Sequence, residues 1–492
     1  MAKAVATKKG PTNHWLILIL VALAQFMVVL DVSIVNVALP AIQKAFHMTP
    51  TSLQWIVTAY TLFFGGCLLL GGRAADLFGR RKVFLVGVIV FTLASFAAGI
   101  AASGGMLIFF RALQGLAGAF MSPAALSIVL VTYSEGHERN VALSVWGAVA
   151  SGGAAVGVLL GGILTQYANW RWNFFVNVPV GLFVVITSLR ILDRHESEAD
   201  HSNLDLPGAV LATGGLMMLV YSLVKAPTLG WTNGTTLTYF VIAIAALVGF
   251  VINESRAKHP LMPLHLFKIR NLSGADSLML LMTAGMFSIF FFTTLYLQQV
   301  LGYTPIKTGV SFLVVPIAIA IAATNVPRVI QKFGYKPILM IAPLFVSAGL
   351  YYLSHIPVNG TFWGNVAPGM ILMGLGMGGT FIAVTVAATS GVPRHESGVA
   401  SGLLNTSQQV GGAIGLAVLT GVATSSSKNF IANHAATIHD KGLLQATATV
   451  HGFHDGYLIA STFGIGAALI ATFVLKQRKG EVTPDAEPAM AV

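Results

Sequence analysis

Apolar residues in this chain come in runs of roughly 18 to 28, separated by short polar stretches. The runs show neither the two-residue alternation of a half-buried strand nor the wide polar face of a soluble surface helix. Fourteen runs qualify: 15–39, 53–72, 82–102, 106–131, 141–164, 173–191, 206–224, 237–254, 272–299, 308–326, 337–355, 363–390, 400–423 and 456–475. A bilayer core about 30 Å thick needs a helix of roughly 20 apolar residues, whereas a barrel strand needs only about 10 in alternation. The pattern therefore predicts an all-α membrane protein with fourteen spans. The first run is too long for the apolar part of a cleaved signal and is read as the first span.

The polar stretches give the orientation. Only Lys44, Arg171, Lys225, Lys307, Lys428 and Lys441 fall on one side, and Arg111 lies within a span; the other Lys and Arg residues of the 28 fall on the side of the two termini. Cytoplasmic loops carry the Lys/Arg excess, so both termini are expected in the cytoplasm of a cell membrane protein.

Composition narrows the class. Of 492 residues, 55% are hydrophobic and only 9% charged; a soluble protein carries about 25% charged residues. The net charge of +11 comes from singly scattered residues, with no aromatic-interleaved basic patch for nucleic acid. Cys67 is the only cysteine, so no disulfide forms within the chain. There is no phosphate-binding loop, no zinc-spaced His cluster and no nucleophile elbow, which argues against an enzyme, an ATP-driven pump or a bound cofactor.

An internal repeat organises the spans. "FGRRKVFLV" from Phe78 pairs with "FGYKPILMI" from Phe333, "HERNVALS" from His137 with "HESGVASG" from His395, and "GGAAVG" from Gly152 with "GGAIGL" from Gly411. The offsets are 255, 258 and 259 residues, and each partner lies eight spans after the first. Eight is six plus two. The expected plan is a six-helix half (1–195), an inserted helix pair with its linkers (196–271), a second six-helix half (272–479) and a disordered tail (480–492). Two parallel halves with a midplane site between them is a transporter architecture, and one chain holding both halves predicts a monomer.

Asp31 and Arg111 carry the candidate chemistry. A carboxylate at the centre of a membrane helix costs roughly 2.5 kcal/mol or more, so a chain keeps one for a reason. Helix rise puts Asp31 about 12 Å below the outer end of its span and Arg111 roughly 8 Å below that of the fourth. At similar depth the two can pair. Burial opposes the charged carboxylate and a neighbouring cation favours it, so the pair can be poised to load and release a proton. One charge crossing 100 mV is worth about 2.3 kcal/mol, enough to drive cargo uphill. A static pin between two helices is the bland alternative. Asp276, near the cytoplasmic end of the ninth span, is a second candidate for coupling or cation binding.

Several motifs resemble those of the fourteen-span drug:proton antiporters of the major facilitator superfamily. They are "LDVSIVNVALP" (30–40), "GGRAADLFGRRK" (71–82), "RALQGLAG" (111–118), "GAAVGVLLGG" (153–162) and "NWRWNFFVNVPVG" (169–181). The resemblance implies a proton site at Asp31, a membrane arginine at Arg111 and a gating loop at Gly72, Asp76, Gly79, Arg80 and Arg81, in which Gly72 and Gly79 allow tight turns and Arg80 and Arg81 can bond carboxylates or helix C-terminal carbonyls across the interface of the halves. In that loop Leu77 stands where Arg is usual. It also implies an antiporter helix whose Gly153, Gly157, Gly161 and Gly162 form one small-residue face for close helix contact. Val158 follows the central glycine where the motif normally has proline, so the helix relies on glycines alone. The fold implied is two six-helix halves plus two inserted helices.

Polar and aromatic side chains in the central spans are candidates to line a cargo site: Gln25, Asn36, Gln54, Tyr60, Gln114, Trp146, Phe290, Phe291, Asn405, Gln408 and Gln409. An apolar cavity with a few amides suits lipophilic, weakly polar cargo. Four histidines, His434, His439, His451 and His454, fall in a stretch read as a long outer loop, 424–455; no metal site is expected there. The function expected is proton-coupled export of lipophilic drugs or metabolites, with protons and membrane lipids as partners. A lipid exporter on the same scaffold and a non-transporting receptor are the alternatives.

Overall fold

The computed structural model describes residues 14–133, 137–192, 205–258, 260–393 and 396–476. Arg194, Arg394, His395 and the tail from 480 lie outside them, as do the basic residues of the first thirteen positions. The described chain is helical. The helices are α1 (His14–Phe46), α2 (Pro50–Phe78), α3 (Arg80–Gly99), α4 (Gly104–Thr132), α5 (His137–Tyr167), α6 (Trp172–Ile191), α7 (Leu206–Leu229) and α8 (Gly234–Arg256). They continue with α9 (Arg270–Val300), α10 (Pro305–Phe333), α11 (Tyr335–Leu353), α12 (Phe362–Thr389), α13 (Ser397–His434) and α14 (Lys441–Phe473). Thirteen are long and apolar enough to cross a membrane. The remaining one, α5, is 31 residues long and carries the apolar run 141–164. All fourteen expected runs are helices.

Turn chemistry marks the repeat. Gly79, between α2 and α3, has φ 92°, and Gly334, between α10 and α11, has φ 80°. Both are values that only glycine adopts easily, and they occupy the same place in the paired "FG" segments.

Packing follows the repeat as well. Within the first six helices α1 packs on α5, and α4 on α2 and α3; within the last six, α9 packs on α13, and α12 on α10 and α11. The two sets meet along α1/α9, α5/α10 and α2/α13. The end remote from the termini is latched: Gln298 donates to the Val37 carbonyl (2.9 Å), Gln299 to Gln43 (2.7 Å), and the Ile306 N–H to Gln166 (3.2 Å). Helix α4, by contrast, packs within its own set. The latch bonds tie the two sets together at the end of the bundle remote from the termini, while the extensive contacts of α4 are with α2, α3 and α1 of its own set.

The inserted pair covers one seam between the halves. Helix α7 packs on both α2 and α13, with Leu62, Val220, Val224, Ala413 and Ala417 in one buried cluster. Gly66 and Gly421 let it come close, against Thr213 and Pro227 respectively. Helix α8 packs on α7 and turns Leu237, Val241, Ile244, Val248 and Val251 outward. An apolar surface of that extent is stable in lipid rather than water.

The outer stretch 424–455 is not a long loop. Helix α13 runs on to His434 and α14 begins at Lys441, capped by Asp440 through the Gly442 and Leu443 N–H groups. Hydropathy measures the thickness of the membrane, and these helices continue beyond it on more polar sequence.

Candidate functional site

Asp31 and Arg111 meet in the interior of the first six helices. Asp31 is fully buried on α1 and Arg111 is 1% exposed on α4. Arg111 Nη1 donates to Asp31 Oδ2. The same nitrogen reaches Gln114 Oε1 at 3.0 Å, and Nε donates to the Ile56 carbonyl on α2 at 3.0 Å. The guanidinium lies over the Tyr60 ring, 4.4 Å from its centre, where the negative face of the ring attracts it.

The other carboxylate oxygen, Asp31 Oδ1, accepts from Gln114 Nε2 (2.9 Å) and Asn177 Nδ2 (3.1 Å). Both amides also donate to Ser95 Oγ, at 2.9 and 3.1 Å, and Ser95 donates to the Phe174 carbonyl. The network thus joins α1, α2, α3, α4 and α6. The expected pair is present, and Gln114 belongs to it rather than to a cargo surface. Ser95 and Asn177 were not singled out from the sequence. Asn177 left one trace, an amide in the otherwise apolar "FFVNVPVG"; Ser95 left none. On α2, Gln54, Thr58 and Tyr60 bury polar side-chain atoms that have no protein hydrogen-bond partner. Such atoms beside an ion pair suit ordered water.

Helix α5 packs on α1 through glycines. A β-carbon on Gly153 would lie 3.3 Å from Phe26 and Val29, one on Gly157 would collide with Ser33 and lie 3.1 Å from the Leu30 carbonyl, and one on Gly161 would sit 2.6 Å from the Ile34 carbonyl. Gly162 departs from the expected face. It abuts Pro305 and Ile306 of α10, across the seam, because it is one residue and so about 100° round the helix from Gly161. Val158 joins it there: its carbonyl lies against Gly309.

The loop after α2 is corrected in two places. Gly72 sits inside α2 rather than at a turn, and it is Gly71 that lets α2 approach Ala119 of α4. Gly79 is the turn residue. Arg80 pairs with Asp76 at 4.0 Å on an exposed surface, and Arg81 donates to the Leu189 carbonyl at the end of α6 (2.8 Å). That carbonyl is a helix C-terminus, as expected, but of the same half rather than the opposite one.

A family model, the Major Facilitator Superfamily, matches residues 21–416, more than three quarters of the chain and all the motif residues above. The chain belongs to the Major Facilitator Superfamily. It is a multi-pass membrane transporter, not an enzyme. Among its relatives are the puromycin resistance protein pur8 of Streptomyces alboniger, 39% identical over 94% of this chain and 91% of the relative. The tetracenomycin C resistance and export protein of Streptomyces glaucescens is 35% identical over 97% and 94%. The fold is shared with a bacterial homologue of the human lysosomal transporter Spinster, inward-facing and occupied (TM-score 0.65, 15% identity, 95% of this chain and 97% of that one). It is shared also with inward-open XylE, the xylose transporter of E. coli (TM-score 0.61, 13% identity, 95% and 98%).

In this superfamily transporter the remaining candidates divide. Gln25 accepts from Ser122, Asn36 bonds back to Val32 of its own helix, and Asn405 to Ser401. Gln409 packs on Gly65 across the α2/α13 seam, and Gln408 is partly buried beside it. Trp146 packs against the core of the first half. Phe290 stacks on Phe312, whereas Phe291 is 1% exposed in the core and so cannot line a cavity in this state.

The histidines scatter. His451 bonds to Ser426 (2.9 Å) and His454 to the Ile356 carbonyl (2.6 Å), in different directions. His434 stacks on Phe430. His439 lies in the short link between α13 and α14. Among the described residues no group of three or more ligand-type side chains is placed to hold a metal ion. His434, His451, Phe430, Trp231 and Asp455 instead border an outer cavity of about 480 Å³.

Proposed function

We propose that this protein is a proton-coupled antiporter that exports lipophilic drugs or metabolites across the cell membrane, with both termini in the cytoplasm. The observation that carries the reading is the buried Asp31–Arg111 pair with its amide and hydroxyl partners. A charge pair is costly to bury and is retained where it does work. With Asp31 ionised, Arg111 binds α4 to α1 through it. A proton arriving on Asp31 neutralises the carboxylate and weakens that hold, while Gln114 and Asn177 keep the side chain in place. The loosened contact between α1 and α4 then biases the two halves toward the other facing, and return of the proton to the cytoplasm resets the pair. Export of antibiotics is supported by the names of relatives matching nearly the full length of the chain. A single chain supplying both halves is in keeping with a monomer.

The test uses the purified protein in liposomes with an imposed proton gradient and a trapped pH-sensitive dye. A panel of lipophilic cations, neutral drugs and lysolipids is added in turn. Cargo-dependent proton flux that disappears in Asp31→Asn is the expected result. Lysolipid movement without drug-dependent flux favours lipid export. Full proton-driven flux in a correctly inserted Asp31→Asn protein removes the coupling role of Asp31.

A further inference from the structure

Asp276 is a second acid buried within the six-helix halves, and the Asp31 mechanism makes no use of it; the buried Asp205 and Glu254 belong to the inserted pair and bond to Gly208, Asn253 and Met262 there. Asp276 lies on α9, six residues or about 9 Å above Arg270 at the cytoplasmic end. It is 5% exposed, and neither carboxylate oxygen has a hydrogen-bond partner. The polar side chain facing it is Ser407 of α13.

No cation compensates it among the described residues. Helix α12 carries no ionisable side chain. Those of α13, Lys428 and His434, and of α14, Lys441, His451, His454 and Asp455, lie toward the outer ends, and Tyr457 of α14 is buried in a hydrogen bond with Thr293 of α9. At the cytoplasmic end Arg270 donates to the Phe473 and Val474 carbonyls, and Lys336 of α11 to the Leu475 carbonyl. Tyr335 donates to the Lys476 carbonyl, and His265, in the short turn before α9, bonds to Glu396; Lys268 is exposed. On α1, the ionisable groups are His14, Asp31 and Lys44, and Asp31 is bound to Arg111.

The neighbours of Ser407 give this acid a mechanical connection. Thr406 donates to the Gly65 carbonyl of α2 (3.3 Å), Gln409 packs on Gly65, and Gly402 on Leu69. Helix α13 therefore touches Asp276 on one side and the opposite half of the molecule on the other, at one level. Sliding of α13 on α2 as the halves rock changes the surroundings of Asp276. A carboxyl group in such a place is cheap to hold when it carries a proton and expensive when it does not.

We propose that Asp276 is a second proton-carrying site, in the C-terminal half, coupled through α13 to the α2/α13 seam. The proton is taken up by the carboxylate from water in one facing and released to water in the other, with no other bond made or broken. The proposal rests on the antiport reading for its stoichiometry. The experiment sets a known gradient of the fluorescent cation ethidium against a variable pH gradient in liposomes and finds the point of zero net flux. The proton-to-cargo ratio is expected to fall from about two in the native protein to about one in Asp276→Asn. An equal ratio in both proteins overturns the proposal. If Asp276→Asn does not insert, or ethidium is not carried, native protein is treated with dicyclohexylcarbodiimide, which modifies protonated carboxyl groups in apolar surroundings, and Asp276 is followed by mass spectrometry. Labelling that declines from acid to alkaline buffer supports the site whether or not proton-driven export is observed; labelling that is absent or independent of pH overturns it.

Discussion

The two halves are built to one plan and filled with different chemistry. On α5, Gly157 lies against Leu30 of α1; on α13, Gly415 lies against Ala284 of α9. The next residue on α1 is Asp31 and on α9 is Gly285. On α4, Gly115 abuts the Tyr60 carbonyl; on α12, Gly374 abuts the Val315 carbonyl. Four residues before these glycines stand Arg111 and Met370, and one before stand Gln114 and Met373. Counted from the paired turn glycines Gly79 and Gly334, Ser95 corresponds to Leu350. Thus every member of this set that is polar in the first half has glycine, methionine or leucine in the second, at positions equally buried or nearly so. The backbone contacts that bring helices together survive duplication because they need only small residues. The charge network does not, because each member is tolerated only while the others are present.

That contrast can be tested by breaking it. The largest effect is expected for Arg111→Met, which puts into α4 the residue found at the matching place in α12. It leaves Asp31 ionised without its cation, at a cost of about 3–5 kcal/mol; melting in detergent should drop sharply and transport should be lost. The converse change, Gly285→Asp, places a carboxylate at the matching place in the C-terminal half with no partner, at a cost of roughly 2.5–3.5 kcal/mol. Adding Met370→Arg should recover part of the melting temperature if the two halves are as parallel as their glycine contacts say. The smallest effect is Asn177→Ala, which removes one of two amide donors to Asp31 Oδ1. About 1 kcal/mol is expected, with transport retained at a shifted pH dependence, read from flux across a pH series.

How much of this could be seen in the sequence depends on the length scale. The fourteen helices are written in apolar runs that must match a membrane, and the pairing of Asp31 with Arg111 followed from helix rise alone, because both positions are fixed by distance from a helix end. The supporting shell was less legible. Ser95 is one small hydroxyl in an apolar helix, a pattern that most often means a bond to the preceding turn, and Asn177 is an amide near the start of α6 with no polar residue in the two turns after it to mark its face. The same ambiguity put Gly162 on the wrong face of α5 and made Gly72 a turn residue when Gly71 makes the contact. Helix ends beyond the bilayer were lost for a different reason: α13 and α14 extend into water on polar sequence that a search for apolar runs passes over.

The inserted pair has a consequence for where cargo can come from. Helix α7 lies over the α2/α13 seam with α8 outside it, while among the described helices nothing comparable lies over the α5/α10 seam on the opposite flank. A lipophilic molecule dissolved in the bilayer approaches the two flanks equally often but finds one of them walled. For such a molecule the two flanks are unlike surfaces: one is screened by the inserted pair, and the other presents α5 and α10 themselves.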